Sequence, residues 1–191
     1  MDVITALTGI GSAFGLSASA GLNAYLPLLT VALAARFTDL INLGERYELL
    51  ASWPAIILLT ILLMVEFFVD KIPAVDTAND LIQSLVRPTA GAVLFAASTN
   101  TVEIAPVVAI MAGILMAGTV HATKTAARPV VTAGTAGTGN WAVSLLEDVV
   151  AFGVSILAMI MPILVGILVV GLIIFVARFW IKRRRKKVRY G

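Results

Sequence analysis

The hydrophobic pattern opens with a run of about 33 residues, Val3 to Ala35, that contains no charged side chain. One helix needs only ~20 apolar residues to cross a bilayer, so this run is too long for a single ordinary span. Its middle, Ser17 to Pro27, is rich in small and polar residues that disfavour a helix interior. We therefore predict two apolar helices that meet at a non-helical joint at membrane depth, where transporters bind their substrates.

Two further segments have the length and composition of single spans. The first begins at Trp53-Pro54, where proline suits the first helical position and tryptophan suits the membrane interface. The second covers Ile104 to Val120. The residues before the first span, Phe37 to Ser52, carry four charged side chains. We expect them to form an exposed loop or a surface helix.

An amphipathic segment lies between these two spans. Its polar positions recur at helical spacing and are Asp76, Asp80, Gln83 and Arg87. Such a stripe is either a solvated surface or one wall of a polar vestibule, and the pattern allows both interpretations. Pro88 is predicted to end this helix. The apolar stretch that follows, Thr89 to Thr101, is short enough to be a re-entrant half-helix.

The last third of the chain is interrupted in a similar way. We predict a second non-helical joint at Thr125–Pro129. Val149 to Ala177 is over-long for one span and has Pro162 near its middle, which favours two spans or one kinked helix. Pro27 in the first half and Pro129 in the second are each followed, further along the chain, by an apolar helix that carries two acidic residues. This echo fits an inverted repeat of residues 1–101 and 104–181, and it also fits coincidence.

Composition agrees with this pattern. The chain is 60% hydrophobic and 13% charged, with a mean hydropathy of +1.00, and a soluble domain of 191 residues could not bury that much apolar surface. We predict an all-α polytopic integral membrane protein with broken or re-entrant helices and about five to seven apolar segments. Gly11 and Gly15 form a GxxxG pattern, which predicts close helix packing within the chain or between protomers.

The net charge of +3 comes from the end of the chain, because residues 182–191 hold half of the 14 lysines and arginines. A basic cluster directly after an apolar helix predicts a cytoplasmic C-terminus. We divide the chain into a transmembrane domain, residues 1–181, and a basic cytoplasmic tail, residues 182–191. The tail suits anionic lipid headgroups. It suits nucleic acid poorly, because no soluble fold accompanies it.

Acidic residues occur within apolar stretches, where a charge at the bilayer centre costs ~2.5–3.5 kcal/mol. Glu66 lies in one apolar helix, and Asp70 follows one turn later on the same face. Glu147 and Asp148 form a second acidic pair. These four residues are candidates for binding the proton or cation that couples transport. The alternative for Glu66 is a structural role, near the membrane surface or paired with Lys71 or another basic residue.

Three basic residues, His121, Lys124 and Arg128, share one helix face just before a proline. Because arginine offers a planar fork and lysine a point charge, the row suits a phosphate or carboxylate. Positive-inside anchoring of a helix end explains the same row without a ligand. The other candidate substrate contacts are Asn23, Asp76, Asp80 and Arg87. No metal or other cofactor is expected, since one histidine without cysteine gives no ligand spacing.

Three stretches, Gly15 to Leu29, Val65 to Gly91 and His121 to Asp148, resemble the bacterial membrane family catalogued as domain of unknown function 4126. The resemblance covers nearly everything before the basic tail. It implies a small multispanning protein, and it carries no established activity to this chain.

The function that these features favour is a small secondary transporter or flippase for an anionic solute or lipid headgroup, coupled to protons or cations. The alternatives are a passive channel, a non-transporting assembly or scaffold protein and an intramembrane enzyme that acts on lipid phosphates, although a non-enzyme is expected. The expected location is the cytoplasmic (inner) membrane. The expected partners are membrane lipids, the anionic solute or headgroup and a second copy of the chain in a homodimer, with no nucleic acid.

Overall fold

The computed structural model describes residues 2–69, 73–100, 102–135 and 139–188. In these ranges the chain forms seven α-helices, one short 3₁₀ helix and no strand. The 3₁₀ helix covers Glu45–Ala51. The α-helices are α1 (Val3–Leu22), α2 (Tyr25–Phe37), α3 (Trp53–Val69), α4 (Pro73–Ser98), α5 (Pro106–Thr135), α6 (Asn140–Ile160) and α7 (Pro162–Val188). The predicted all-α fold is confirmed.

Two predicted interruptions are present. α1 ends at Leu22, Asn23 after it has an extended backbone, and α2 begins at Tyr25, within the predicted Ser17–Pro27 joint. α6 ends before Met161, and Pro162 is the first residue of α7. Proline suits a first helical position because its missing N–H would have no helical partner there. The over-long apolar run at the C-terminal end is therefore two helices.

Two other predicted interruptions are wrong. α4 continues through Pro88, so the stretch after this proline is part of a long helix and not a re-entrant half-helix. α5 likewise continues through Pro129, so there is no joint at Thr125–Pro129. A proline inside a membrane helix is tolerated because side-chain hydroxyls and neighbouring helices satisfy the freed backbone groups.

α1 is the central helix and packs against α4, α5, α6 and α7. Its small residues permit this close packing: a side chain added at Gly11 would collide with the Pro162 carbonyl, and one at Gly15 would collide with Val165 and Ala158. Ser17 and Ser19 donate to backbone carbonyls of α4 and α6. The GxxxG face therefore packs against other helices of the same chain, which is one of the two arrangements predicted for it.

The outer surface is apolar. Four helices of the described ranges are long and apolar enough to cross a membrane, and the 3₁₀ helix with α3 forms a fifth candidate that is bent by 57°. Large apolar side chains are exposed on these outer faces, among them Ile57, Leu58, Ile61, Leu115, Phe152 and Leu168. A water-soluble monomer does not expose patches of this size. The chain is a multi-pass membrane protein.

Candidate functional site

The candidate site is centred on the break between α1 and α2. The Asn23 Oδ1 atom accepts hydrogen bonds from the N–H groups of Tyr25 (3.0 Å) and Leu26 (2.9 Å), so this side chain caps α2. On the other side of the break, Lys124 Nζ donates to the carbonyl oxygen of Leu22 at 3.1 Å. A cation thus lies at the C-terminus of α1, where the helix dipole favours positive charge. Side chains satisfy both ends of the interruption.

Two acidic residues of α6 reach the same break. Glu147 forms an ion pair with Lys124, in which Oε2 and Nζ are 2.7 Å apart. Asp148 accepts a hydrogen bond at 2.9 Å from Asn23 Nδ2. We call these four residues, Asn23, Lys124, Glu147 and Asp148, the break cluster. Its charges have partners, as is required of ions that are buried in a membrane protein.

A second ion pair joins α3 and α4. Arg87 Nη2 donates to Glu66 Oε1 at 3.2 Å, and the two side chains are 1% and 2% exposed. Arg87 Nη1 lies 3.1 Å from His121 Nδ1 on α5. Because a guanidinium group only donates, His121 Nδ1 must accept, and the imidazole is the neutral form protonated on Nε2. We call Glu66, Arg87 and His121 the sealed cluster.

Further polar contacts connect the two clusters. Gln83, one turn before Arg87 on α4, is buried and interacts with the hydroxyl group of Tyr25 at the start of α2. Arg87 and Arg128 are both close enough to Lys124 to act on its charge. The two ion pairs are therefore neighbouring parts of one polar layer, to which helices α1 to α6 all contribute.

A groove of about 440 Å³ opens beside the break cluster. α1, α5 and α7 form most of its wall, and Lys124 and Glu147 are its charged residues. The full lining is Ala18, Leu22, Met116, Thr119, Val120, Thr123, Lys124, Ala127, Glu147, Val169 and Leu172. Its volume lies in the range of sites that hold small ligands. The arrangement combines a long apolar surface with one buried ion pair.

The structure separates the three basic residues that the sequence placed in one row. His121 faces α4 and contacts Arg87, whereas Lys124 faces α1 and α6. Arg128 is half-buried near Lys124. The row therefore does not point at one common anion. Lys124, with Arg128 beside it, is the part that borders the groove.

The acidic candidates have different outcomes. Glu66 forms an ion pair with Arg87. This contact corresponds to the structural role considered for Glu66, in which it pairs with a basic residue other than Lys71. Asp70 lies outside the described residues, as do the side chains of Asp76 and Asp80. Glu147 and Asp148 both reach the break cluster, although their contacts differ. Arg87, predicted as a substrate contact, is enclosed with Glu66 and His121.

Residues 10–182 match the model of the family described as Domain of unknown function (DUF4126). The chain belongs to this family. Comparisons with curated proteins and with solved structures give no match. The DUF4126 match includes both clusters and the whole groove, so the polar layer lies entirely within the family's domain.

Sequence reasoning missed the groove of this DUF4126 protein. Thr119 and Thr123 line it at a spacing of one turn, but threonines on a membrane helix commonly bond to their own backbone, as both do here. The role of the Leu22 carbonyl was also missed, because every helix end has free carbonyls and the sequence does not show which cation reaches them.

Proposed function

We propose that this DUF4126 protein is a small secondary transporter or flippase for an anionic solute or lipid headgroup, coupled to protons. The observation that carries the proposal is the Lys124–Glu147 ion pair, which lies at the break between α1 and α2 and borders the groove. Broken helices with partnered ionisable residues are typical of the substrate and ion sites of transporters.

The charges of the polar layer suggest how a proton and an anion are coupled. Its described basic residues are Arg87, Lys124 and Arg128, and its described acids are Glu66, Glu147 and Asp148. These charges sum to zero while Glu147 is ionised. When Glu147 binds a proton, one positive charge is left without compensation, and a singly charged anion beside Lys124 restores neutrality. Loss of the proton returns Glu147 to Lys124 and displaces the anion.

The remaining polar residues have supporting roles in this scheme. Asn23 holds the start of α2 and the Asp148 carboxylate in place. The sealed cluster keeps the charge of Arg87 near Lys124. Proton and anion therefore share one ion pair, and the expected ratio is one proton for each negative charge.

Location and assembly complete the proposal. We place the protein in the cytoplasmic membrane with its C-terminus on the cytoplasmic side, because residues 182–187 are a continuous basic run after an apolar helix. A C-terminal reporter that is active only in the cytoplasm tests this orientation. The homodimer and the inverted repeat stay predictions.

The test of transport uses purified protein in liposomes with an imposed pH gradient. Two probes with one negative charge are followed: radiolabelled glycerophosphoglycerol, a phosphodiester, for uptake, and fluorescent phosphatidylglycerol for movement between leaflets. We expect gradient-dependent movement of at least one probe. Glu147→Gln should remove the dependence on the gradient, and Glu103→Gln, which alters an exposed acid in the loop before α5, should not.

Three outcomes contradict the proposal. Equal movement of a probe with and without the gradient indicates a passive channel. No movement of either probe in wild type, together with correct folding, indicates an assembly or scaffold protein. Unchanged gradient dependence in Glu147→Gln removes this residue from the coupling step.

A further inference from the structure

We propose that the groove binds a hydrocarbon chain of an anionic membrane lipid whose headgroup lies beside Lys124. The inference rests on the proposed function in one respect: the headgroup takes the position that Glu147 gives up when it is protonated. It adds the class of substrate, a lipid with a single negative charge and an acyl chain, which the polar layer alone does not specify.

The groove lies where acyl chains can enter it. α5 and α7 both pack on α1, but within the described residues they make no extensive contact with each other, so the groove lies between them. Exposed apolar side chains flank it on both helices, with Leu115 66% and Leu168 62% exposed. These surfaces face the acyl chains of the bilayer, and a mostly apolar groove beside them is filled more favourably by a chain than by water.

The charged end and the apolar end of the groove are distinct. Gly15 of α1 packs against Val165, and the next turns of these helices place Ala18 and Val169 in the groove wall. One further turn along α1, the Leu22 carbonyl contacts Lys124. The groove thus runs from apolar side chains to the break cluster. This polarity matches a lipid, which has an apolar chain and a charged head.

Charge complementarity specifies an anionic headgroup. Among the described residues, the titratable and charged groups near Lys124 and Glu147 are Arg87 from α4 with its partner Glu66 from α3, His121 and Arg128 from α5 and Asp148 from α6. Neither α1 nor the Pro162–Leu172 part of α7 contains a charged residue or a histidine. His121 is neutral and bonded to Arg87. Protonation of Glu147 therefore leaves one net positive charge, which a phosphodiester headgroup neutralises.

The absence of cysteine from the chain permits a site-specific test. Thr119→Cys places a bimane fluorophore in the groove, and Leu58→Cys places one on the exposed face of α3, which contributes no residue to the groove wall. Each labelled protein is reconstituted with phosphatidylglycerol or phosphatidylcholine that carries bromine atoms on identical chains. Because bromine quenches bimane only at short range, the ratio of quenching by the two lipids measures which chain occupies the groove.

We expect phosphatidylglycerol to be favoured at position 119 by about fivefold, the preference that one basic side chain gives an anionic lipid. The preference should increase as the pH falls in wild type and become independent of pH in Glu147→Gln. It should be lost in Lys124→Met. At position 58 the two lipids should quench equally in every background.

The inference would be overturned if phosphatidylglycerol and phosphatidylcholine quench equally at position 119, in wild type and also in Glu147→Gln. This comparison does not depend on the folding of Lys124→Met. Such a result leaves the proposed function intact if glycerophosphoglycerol is still driven by the pH gradient. Conversely, a lipid preference at position 119 without gradient-driven movement of either probe overturns the transport proposal and leaves the lipid site.

Discussion

The two ion pairs of the polar layer differ in how completely the protein surrounds them. The Glu66 and Arg87 side chains are 1–2% exposed and are enclosed with His121. The Lys124–Glu147 pair borders a groove, and the Glu147 side chain is 15% exposed. A pair that is buried this completely exchanges a proton or an anion less readily, so we expect it to stabilise the bundle and position charge. A pair beside a groove can change partners.

The largest expected effect follows from removing one partner of the enclosed pair. Arg87→Met leaves the Glu66 carboxylate buried without its cation and should lower the stability of the protein by about 3–5 kcal/mol. The double variant Glu66→Gln with Arg87→Met should recover most of this loss, because no uncompensated charge remains. Unfolding of the detergent-solubilised protein measures both. If the single and double variants are equally unstable, the lost stability comes from packing and not from charge.

A smaller effect is expected at the pair beside the groove. Lys124→Met removes the partner of Glu147 and of the Leu22 carbonyl, and we expect a loss of about 1–3 kcal/mol. The loss is smaller than for Arg87→Met because the Glu147 side chain is less completely buried and a bound proton can neutralise it. The same unfolding measurement compares the two variants directly. A loss as large as that of Arg87→Met would show that the two pairs are equally enclosed in the membrane.

The smallest effect is expected at the cap between the helices. Asn23→Ala removes the acceptor for the N–H groups of Tyr25 and Leu26 and should cost about 1 kcal/mol. In Asn23→Ser the serine hydroxyl can still accept a hydrogen bond at the cap, but its side chain is too short to reach Asp148. This variant should therefore be more stable than Asn23→Ala and should still lack the Asp148 contact. Unfolding measures the first property, and the pH dependence of probe movement measures the second. Equal stability of the two variants would exclude capping as the main role of Asn23.

Local chemistry explains which helix ends were predictable. The α1–α2 break has its cap, Asn23, and a following Pro27 in the adjoining sequence, and α7 begins at Pro162. The interruptions predicted at Pro88 and Pro129 were wrong because these prolines lie inside continuous helices. A helix in a membrane has no competing water for its backbone, so one lost hydrogen bond does not end it while neighbouring helices support the turn. A proline therefore marks a helix end only where other local signals agree.

The sequence by itself determined that the chain is a multi-pass α-helical membrane protein and that acids such as Glu66 and Glu147 lie in apolar stretches. Composition and helical spacing carry that information because they depend on single residues and their near neighbours. Only the tertiary structure decided which charges are partners. Glu66 meets Arg87, 21 positions further along the chain, and Lys124 and His121, one turn apart, bind to different helices. Pairing across helices depends on how α1 packs, and the distances between those side chains are not encoded by their spacing along the chain.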